Sequence, residues 1–166
     1  MPTPKSRKAI AYAVGKPAVK AAKRSHRLDF GGLDAHLGFQ LRLAYIAVSR
    51  HFAHAMDRLD LTQKQTGVLW LIGANGGVSQ IAIATRLSMD RASMMAIIDR
   101  LEDRALLTRE RSQHDGRRQA LYLTAKGRRL LAQARTALAR HEHWLAARFD
   151  PTELALLKAF LKRIDR

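Results

Sequence analysis

The sequence predicts a mainly α-helical chain that carries one small β-hairpin. Three observations lead there. Apolar residues recur at three- and four-residue spacing from Asp34 to about Ala105, and again from Thr124 to Ile164. Between those stretches the period drops to two, over Leu107-Thr-Arg-Glu-Arg111 and Gln119-Ala-Leu-Tyr-Leu123. The 166 residues are 47% apolar and include no cysteine, so the chain can build a core without disulfides, and zinc–thiolate sites and thiol redox sensing are excluded. No run of ~18 apolar residues occurs, so no membrane-spanning helix is expected.

Residues 1–28 stand apart. Lys5, Arg7, Lys8, Lys16, Lys20, Lys23, Arg24 and Arg27 occur there without a single acid, half of the net charge of +16. Pro2, Pro4, Gly15 and Pro17 interrupt regular helix. This reads as a flexible basic arm suited to non-specific phosphate contact, with a solubilising tail as the plainer alternative. The first helix follows, with Leu37, Leu41, Ala44, Val48, Phe52, Ala55 and Leu59 on one face and Phe39, Leu43, Ile46, Ala47 and Ala53 on another. A helix apolar on two faces is covered on two sides, and in so short a chain the second cover is expected to be another subunit.

Thr62 and Gln65 have capping-box spacing at the start of the second helix, whose Val68, Leu69 and Ile72 face inward. Asn75-Gly76-Gly77 ends it. Ser79 is expected to cap a short third helix with Ile81, Ile83, Ala84 and Leu87. Ser88 is expected to cap a fourth, running to about Ala105. The two strands then flank a polar turn, residues 112–118. Thr124 opens a long helix with Leu130, Ala134, Leu138, His141 and Leu145 on one stripe. Asp150-Pro151-Thr152-Glu153 supplies a cap, a first-turn proline and an N3 acid for the last helix, with Leu154, Leu157, Phe160 or Leu161, and Ile164 inward.

Two short helices followed by a basic hairpin make a winged helix-turn-helix over residues 61–123. Residues 29–60 and 124–166 are assigned to a helical dimerisation region. The expected partner is double-stranded DNA, with the fourth helix entering the major groove N-terminus first. Taking Leu101 as the inward centre of that helix places Ile98, Ile97 and Met94 beside it. Ser88, Met89, Ala92, Met95, Ala96 and Asp99 then look outward, flanked by Arg91 and Ser93. Arg91 is the one long donor near the N-terminus and suits guanine, whereas Ala92 and Met95 offer only apolar contact, for example to thymine methyls. Much of the specificity is therefore expected from the wing and from DNA shape. In the wing turn, Asp115-Gly116-Arg117-Arg118 can put a guanidinium into a minor groove, held extended by the aspartate.

In this order, Leu61-Thr62-Gln-Lys-Gln65, Ser79-Gln-Ile-Ala82, Asp90-Arg-Ala-Ser-Met-Met-Ala-Ile-Ile-Asp-Arg-Leu-Glu102, Arg109, Asp115-x-Arg117 and Leu123-Thr124 resemble regulators of the MarR family over roughly residues 34–165. The resemblance implies a homodimer built from the first and last two helices on a pseudo-palindromic operator. It implies a wing pair of Asp115 and Arg117. It also implies repression relieved by a small ligand, commonly a phenolic or aromatic carboxylate or an aryl-CoA thioester. The DNA-facing set is then Ser79, Gln80, Ser88, Asp90, Arg91, Ala92, Ser93 and Met95, with Asp115, Arg117 and Arg118 in the wing. One departure is Ala105, where the family often has glycine. Alanine disfavours a left-handed cap, so a slightly altered wing approach is expected.

In such dimers the effector pocket lies between the dimerisation helices and the DNA-binding lobe. Arg42, Arg50, His51, His54 and Trp70 are the candidates, since an arginine beside an aromatic wall suits an aromatic carboxylate. His51 and His54 are three apart on one helix, a spacing that can supply two ligands to one metal, and His141 and His143, with Glu142 between them, lie on another. A histidine satisfied within the core or an interface is the commoner outcome, so no metal and no cofactor are expected. No Gly-rich phosphate loop and no paired apolar carboxylates point to an enzyme. The competing function is a non-specific, nucleoid-type DNA-binding protein, which the basic arm favours. Either reading places the protein in the cytoplasm.

Overall fold

The computed structural model describes residues 28–111 and 119–164. The arm up to Arg27 and the wing turn with Asp115, Arg117 and Arg118 lie outside the described residues. A 3₁₀ turn at Leu33–Ala35 leads into α1 (Leu37–Met56), and a second at Asp57–Leu59 leads to α2 (Gln63–Ala74). Then come α3 (Gln80–Arg86), α4 (Arg91–Asp103), β1 (Leu107–Arg111), β2 (Gln119–Leu123), α5 (Ala125–Ala146) and α6 (Pro151–Ile164). The strands pair antiparallel, with Leu107 opposite Leu123 and Arg111 opposite Gln119. A bridge from Val78 to Leu121 ties the segment before α3 to the hairpin. The architecture is thus mainly helical with a small hairpin wing, as the periodicity predicts.

The caps follow the sequence closely. The Thr62 hydroxyl accepts from the Gln65 amide at 3.2 Å while the Gln65 side chain accepts from the Thr62 amide at 2.9 Å. Ser79 accepts from the Ala82 amide at 3.2 Å. Asp150 accepts from the amides of Thr152 and Glu153 at 2.8 and 2.9 Å. One cap differs. Asp90, not Ser88, caps α4, and its carboxylate accepts from the Ser93 amide at 2.8 Å. Ser88 instead sits in the α3–α4 turn with a φ of 49°.

The core gathers Val68, Leu69 and Ile72 of α2, Ile83 of α3, Met94, Ile98 and Leu101 of α4, and Leu106, Leu107 and Leu121 around the wing base. Phe52 and Met56 of α1 and Leu131, Ala134 and Ala137 of α5 complete it. The α5 stripe is rotated from its expected phase: Leu131 and Ala137 are buried, whereas Leu130 and Leu138 are only half-buried. In α6, Ile164 and both alternatives for the inward position before it, Phe160 and Leu161, are exposed in the single copy, as are Leu37, Leu43, Tyr45 and Ile46 of α1.

Three tight contacts position α5 and the wing. At the end of α4, Ala105 adopts a φ of 55°. The Ala105 amide donates to Glu102 O at 2.7 Å and the Leu106 amide to Leu101 O at 2.9 Å. These are the bonds of a Schellman cap, so alanine keeps the left-handed turn that the sequence argued it would disfavour. The Thr124 hydroxyl, which caps α5, donates to Ala105 O at 2.8 Å. Gly127 then lies so close to Leu106 that a Cβ there would stand 1.9 Å from the Leu106 carbonyl oxygen.

Farther along α5, His141 is buried and faces α1. Its Nδ1 lies 2.8 Å from the Nδ1 of His51. Trp144 stacks on the His51 ring at 3.7 Å, and Arg148 covers Trp144 at 3.5 Å. The partner that the apolar stripe demanded for His141 is therefore another imidazole. Partial burial, then the neighbouring His141, Arg148 and His54, hold the His51 pKa below its ordinary value of 6.5.

Gly127→Ala is expected to lower stability by at least about 2 kcal/mol, because backbone must move to admit the methyl group. Thermal denaturation checks this; an unchanged Tm would show that α5 is not seated on Leu106. Ala105→Gly should act oppositely, raising stability by about 0.5–1 kcal/mol through relief of the left-handed alanine. His51 titrates lower when folded, so the unfolded chain takes up its proton first as pH falls. Stability at this position is full above 6.5 and is lost as pH drops from there toward the depressed native value. Tm curves of the wild type and His51→Gln are expected to converge at acid pH, and parallel curves would refute the assignment.

Candidate nucleic-acid interface

The helix-turn-helix is set by the short link between α3 and α4. Leu87 to Asp90 turn through the left-handed Ser88, whose amide donates to Thr85 O at 3.2 Å, and the Met89 amide donates to Ala84 O at 2.9 Å. Met89 thereby packs against the core rather than facing outward as the helical period suggested. Asp90 presents a carboxylate at the start of α4, and the amide bond from Ser93 lowers its pKa. The aspartate is thus a fixed anion that holds the N-terminal turn.

Beyond that cap, α4 buries Met94, Ile98 and Leu101 and exposes Arg91, Ala92, Met95 and Ala96, with Ser93 half-buried. Arg91 forms no ion pair among the described residues. Ser79 and Gln80 are half-buried at the start of α3, and Gln80, Ser88 and Arg91 line a cavity of about 340 Å³ between α3 and α4. The structure therefore brings Gln80, Ser88 and Arg91 together at the α3–α4 hollow, leaves Ala92 and Met95 exposed on α4, and turns Ser93 toward the α2 side of that helix. The outer face of α4 is chemically lopsided. One guanidinium stands at its start, and apolar atoms occupy its middle. Such a face supplies little hydrogen-bond discrimination of bases.

Arg109, one residue of the family-like motif series, has a defined structural position. It lies on the same pleat face as buried Leu107 and reaches back to α4. There one guanidinium nitrogen pairs with Asp99 and another with Glu102. The two acids sit three residues apart, on one helix face, and the arginine neutralises both. The hairpin is thereby clamped to the helix that it flanks. The legible signal was the pair of acids at helical spacing followed by an arginine on the inward phase of a strand. Lys64 and Arg100 were also missed. With Ser93 they border a shallow cavity of about 260 Å³ between α2 and α4.

The residues expected around an effector are dispersed. His51 is held by His141 and Trp144, and Trp70 carries the Arg135 guanidinium over its ring at 4.8 Å. Arg42, Arg50 and His54 are exposed, and no hydrogen bond joins them to Trp70 among the described residues. Another crevice, of about 280 Å³, opens between the end of α1 and the start of α2. Phe52, Met56 and Leu61 line it, and so does Ser49, whose hydroxyl is shielded from solvent without a hydrogen-bond partner among the described residues. No group of three or more His, Asp or Glu side chains is arranged to hold a metal among the described residues. No helix there is long and apolar enough to cross a membrane.

A sequence profile of the MarR family matches residues 59–118, from the end of the second 3₁₀ turn to the wing turn. A putative transcriptional regulatory protein for the hcr operon of Thauera aromatica is 34% identical over 153 residues, covering 92% of this chain and 90% of that one. The transcriptional repressor CouR, solved bound to a 23-mer DNA duplex, is 38% identical with a TM-score of 0.79, covering 84% of this chain and 99% of its own. The same repressor bound to p-coumaroyl-CoA superimposes with a TM-score of 0.78 at the same identity and coverage. With its winged helix-turn-helix and this similarity along most of its length, the chain belongs to the MarR family of DNA-binding transcription regulators.

Proposed function

We propose that the protein is a repressor that binds a pseudo-palindromic operator as a homodimer and leaves it on binding a small aromatic ligand. The observation that carries this reading is the start of α4, where Arg91, Ala92 and Met95 are exposed and Arg91 has no ion pair among the described residues, on a helix that Arg109 ties to the wing. Ser79, Gln80, Ser88, Asp90, Arg91, Ala92, Ser93 and Met95 form its DNA-facing surface, extended by Asp115, Arg117 and Arg118 in the wing turn. Two such heads, joined by a second copy, match a two-fold operator. The exposed apolar residues of α1 and α6 support that second copy, since a lone chain leaves Phe160, Leu161 and Ile164 in water. The working compartment is then the cytoplasm.

The ligand is a phenolic or aromatic carboxylate or an aryl-CoA thioester. The p-coumaroyl-CoA complex of the similar repressor supports the last class. Arg42, Arg50, His51, His54 and Trp70 remain the residues proposed to bound its site. The α1–α2 crevice, with its apolar floor and unpartnered Ser49 hydroxyl, offers a place for the ring.

Selection of bound duplexes from random sequence, followed by fluorescence anisotropy at two salt concentrations, tests the reading. Enrichment of a palindrome bound about 10³-fold or more over scrambled DNA is expected. Equal, steeply salt-sensitive binding to every duplex would replace it with non-specific packaging of DNA by the basic arm. On the selected site, Arg91→Ala and Arg117→Ala should each weaken binding by about 1–3 kcal/mol and relax preference at the contacted positions. Loss of affinity equal on scrambled and selected duplexes would remove the base-reading role from either arginine.

A further inference from the structure

A further cavity, of about 320 Å³, lies away from the DNA-facing surface of α3 and α4, where the end of α4 meets the first turns of α5. Arg104, Lys126 and Arg129 line it together with Leu106, Leu130 and Gln133, and no acid is among its lining residues. Three cations border one hollow, and an anion placed between them is attracted by all three. Their present partners explain two of the three only in part. Arg104 donates to the Asp60 and Leu59 carbonyl oxygens at 2.6 and 3.1 Å and faces the Asp60 carboxylate at 3.6 Å. Lys126 donates to Arg104 O at 2.8 Å. Arg129 has no hydrogen bond or ion pair among the described residues.

We propose that this cavity is the binding site for a phosphoryl group of a small-molecule ligand, with Arg129 and Lys126 as its free donors and Arg104 as the residue that reports its arrival. A guanidinium and an ammonium converging on one hollow suit a phosphate or diphosphate, and the Leu106 and Leu130 floor keeps bulk water from one side. The inference deepens the reading of the chain as a ligand-released repressor, since a CoA thioester carries such phosphates on its nucleotide end. It also supplies a route for the signal. Arg104 is the C-cap residue of α4, and its side chain is bonded to the junction of α1 and α2. Asp60, at that junction, holds a strained φ of 48°. A phosphoryl group competes with the Leu59 and Asp60 oxygens for the Arg104 guanidinium. Loosening that link frees the end of α4 from the dimerisation helix that it is tied to.

The test is isothermal titration of the full chain with p-coumaroyl-CoA, CoA and adenosine 3′,5′-bisphosphate, alongside anisotropy on the selected operator. Wild-type protein is expected to bind the bisphosphate. Arg129→Ala and Lys126→Gln should each weaken that binding about tenfold, with operator affinity and its salt dependence unchanged. The basic arm is present in every variant, so phosphate held by the arm does not separate them. Binding of the bisphosphate that is absent from wild type, or equal in wild type and both variants, overturns the proposal. So does a fall in operator affinity with a shallower salt slope in both variants, since the cavity would then hold backbone phosphate of DNA. If the bisphosphate binds through Arg129 but p-coumaroyl-CoA leaves the operator complex intact, the cavity stands and the aryl-CoA reading of the effector falls.

Discussion

The reading head depends on one close approach, the seating of Gly127 against the Leu106 carbonyl. A side chain at residue 127 would meet that oxygen well inside contact distance, so the start of α5 can lie there only because the residue is glycine. That contact fixes where the long helix leaves the winged domain. The Thr124 hydroxyl, bonded to Ala105 O, fixes it a second time. Helix α5 then runs to His141, where it meets α1. The position of α4 relative to α5, and through it to α1, is therefore set within a few residues, at the corner where α4, β1 and α5 converge.

Around that corner the chain uses charge to connect elements rather than to cover surface. Arg109 bridges the wing to α4 through Asp99 and Glu102. Arg104 bridges the end of α4 to the α1–α2 junction, and Lys126 returns from α5 to the Arg104 carbonyl. Each link is a charged donor on a carbonyl or carboxylate; the Arg109 pairs and the Arg104–Leu59 bond are partly shielded, whereas the Lys126 bond is exposed and contributes correspondingly less. Two of the three meet at Arg104. In the ligand-released repressor proposed above, the state of the ligand site has to reach α4, and polar links are easier to exchange than packed apolar layers. The same helix is anchored on its other side by Met94, Ile98 and Leu101, which hold its axis.

The outer face of α4, proposed to meet DNA, is poor in long polar side chains. Arg91 is the only one at the start of α4, and Ala92 and Met95 continue the face with apolar atoms. Specificity on such a surface has to be shared with the wing and with the shape of the duplex. Affinity does not require the same economy. A net charge of +16, half of it in the first 28 residues, draws the chain to polyphosphate whatever the sequence of bases.

The elements and most of their caps were legible in the sequence because they depend on local spacing. Thr62 with Gln65, Ser79, Thr124, and Asp150 with Glu153 each satisfy amides within three residues, and no distant contact competes with them. The buried face of α4 was legible for the same reason. Where the sequence misled, a tertiary contact overrode a local preference. Ser88 and Asp90 are equally good caps in isolation, and the α3–α4 turn, which needs Ser88 left-handed, assigned the role to Asp90. Ala105 is a poor left-handed residue, yet the two Schellman bonds and Thr124 over-determine its backbone. The phase of α5 slipped from Leu130 to Leu131 because α5 must pass Gly127 and pack against Gly73, where Leu131 sits. The pairing of His51 with His141 joins residues ninety positions apart. No spacing rule reaches so far, and only the packing of α1 on α5 decided it.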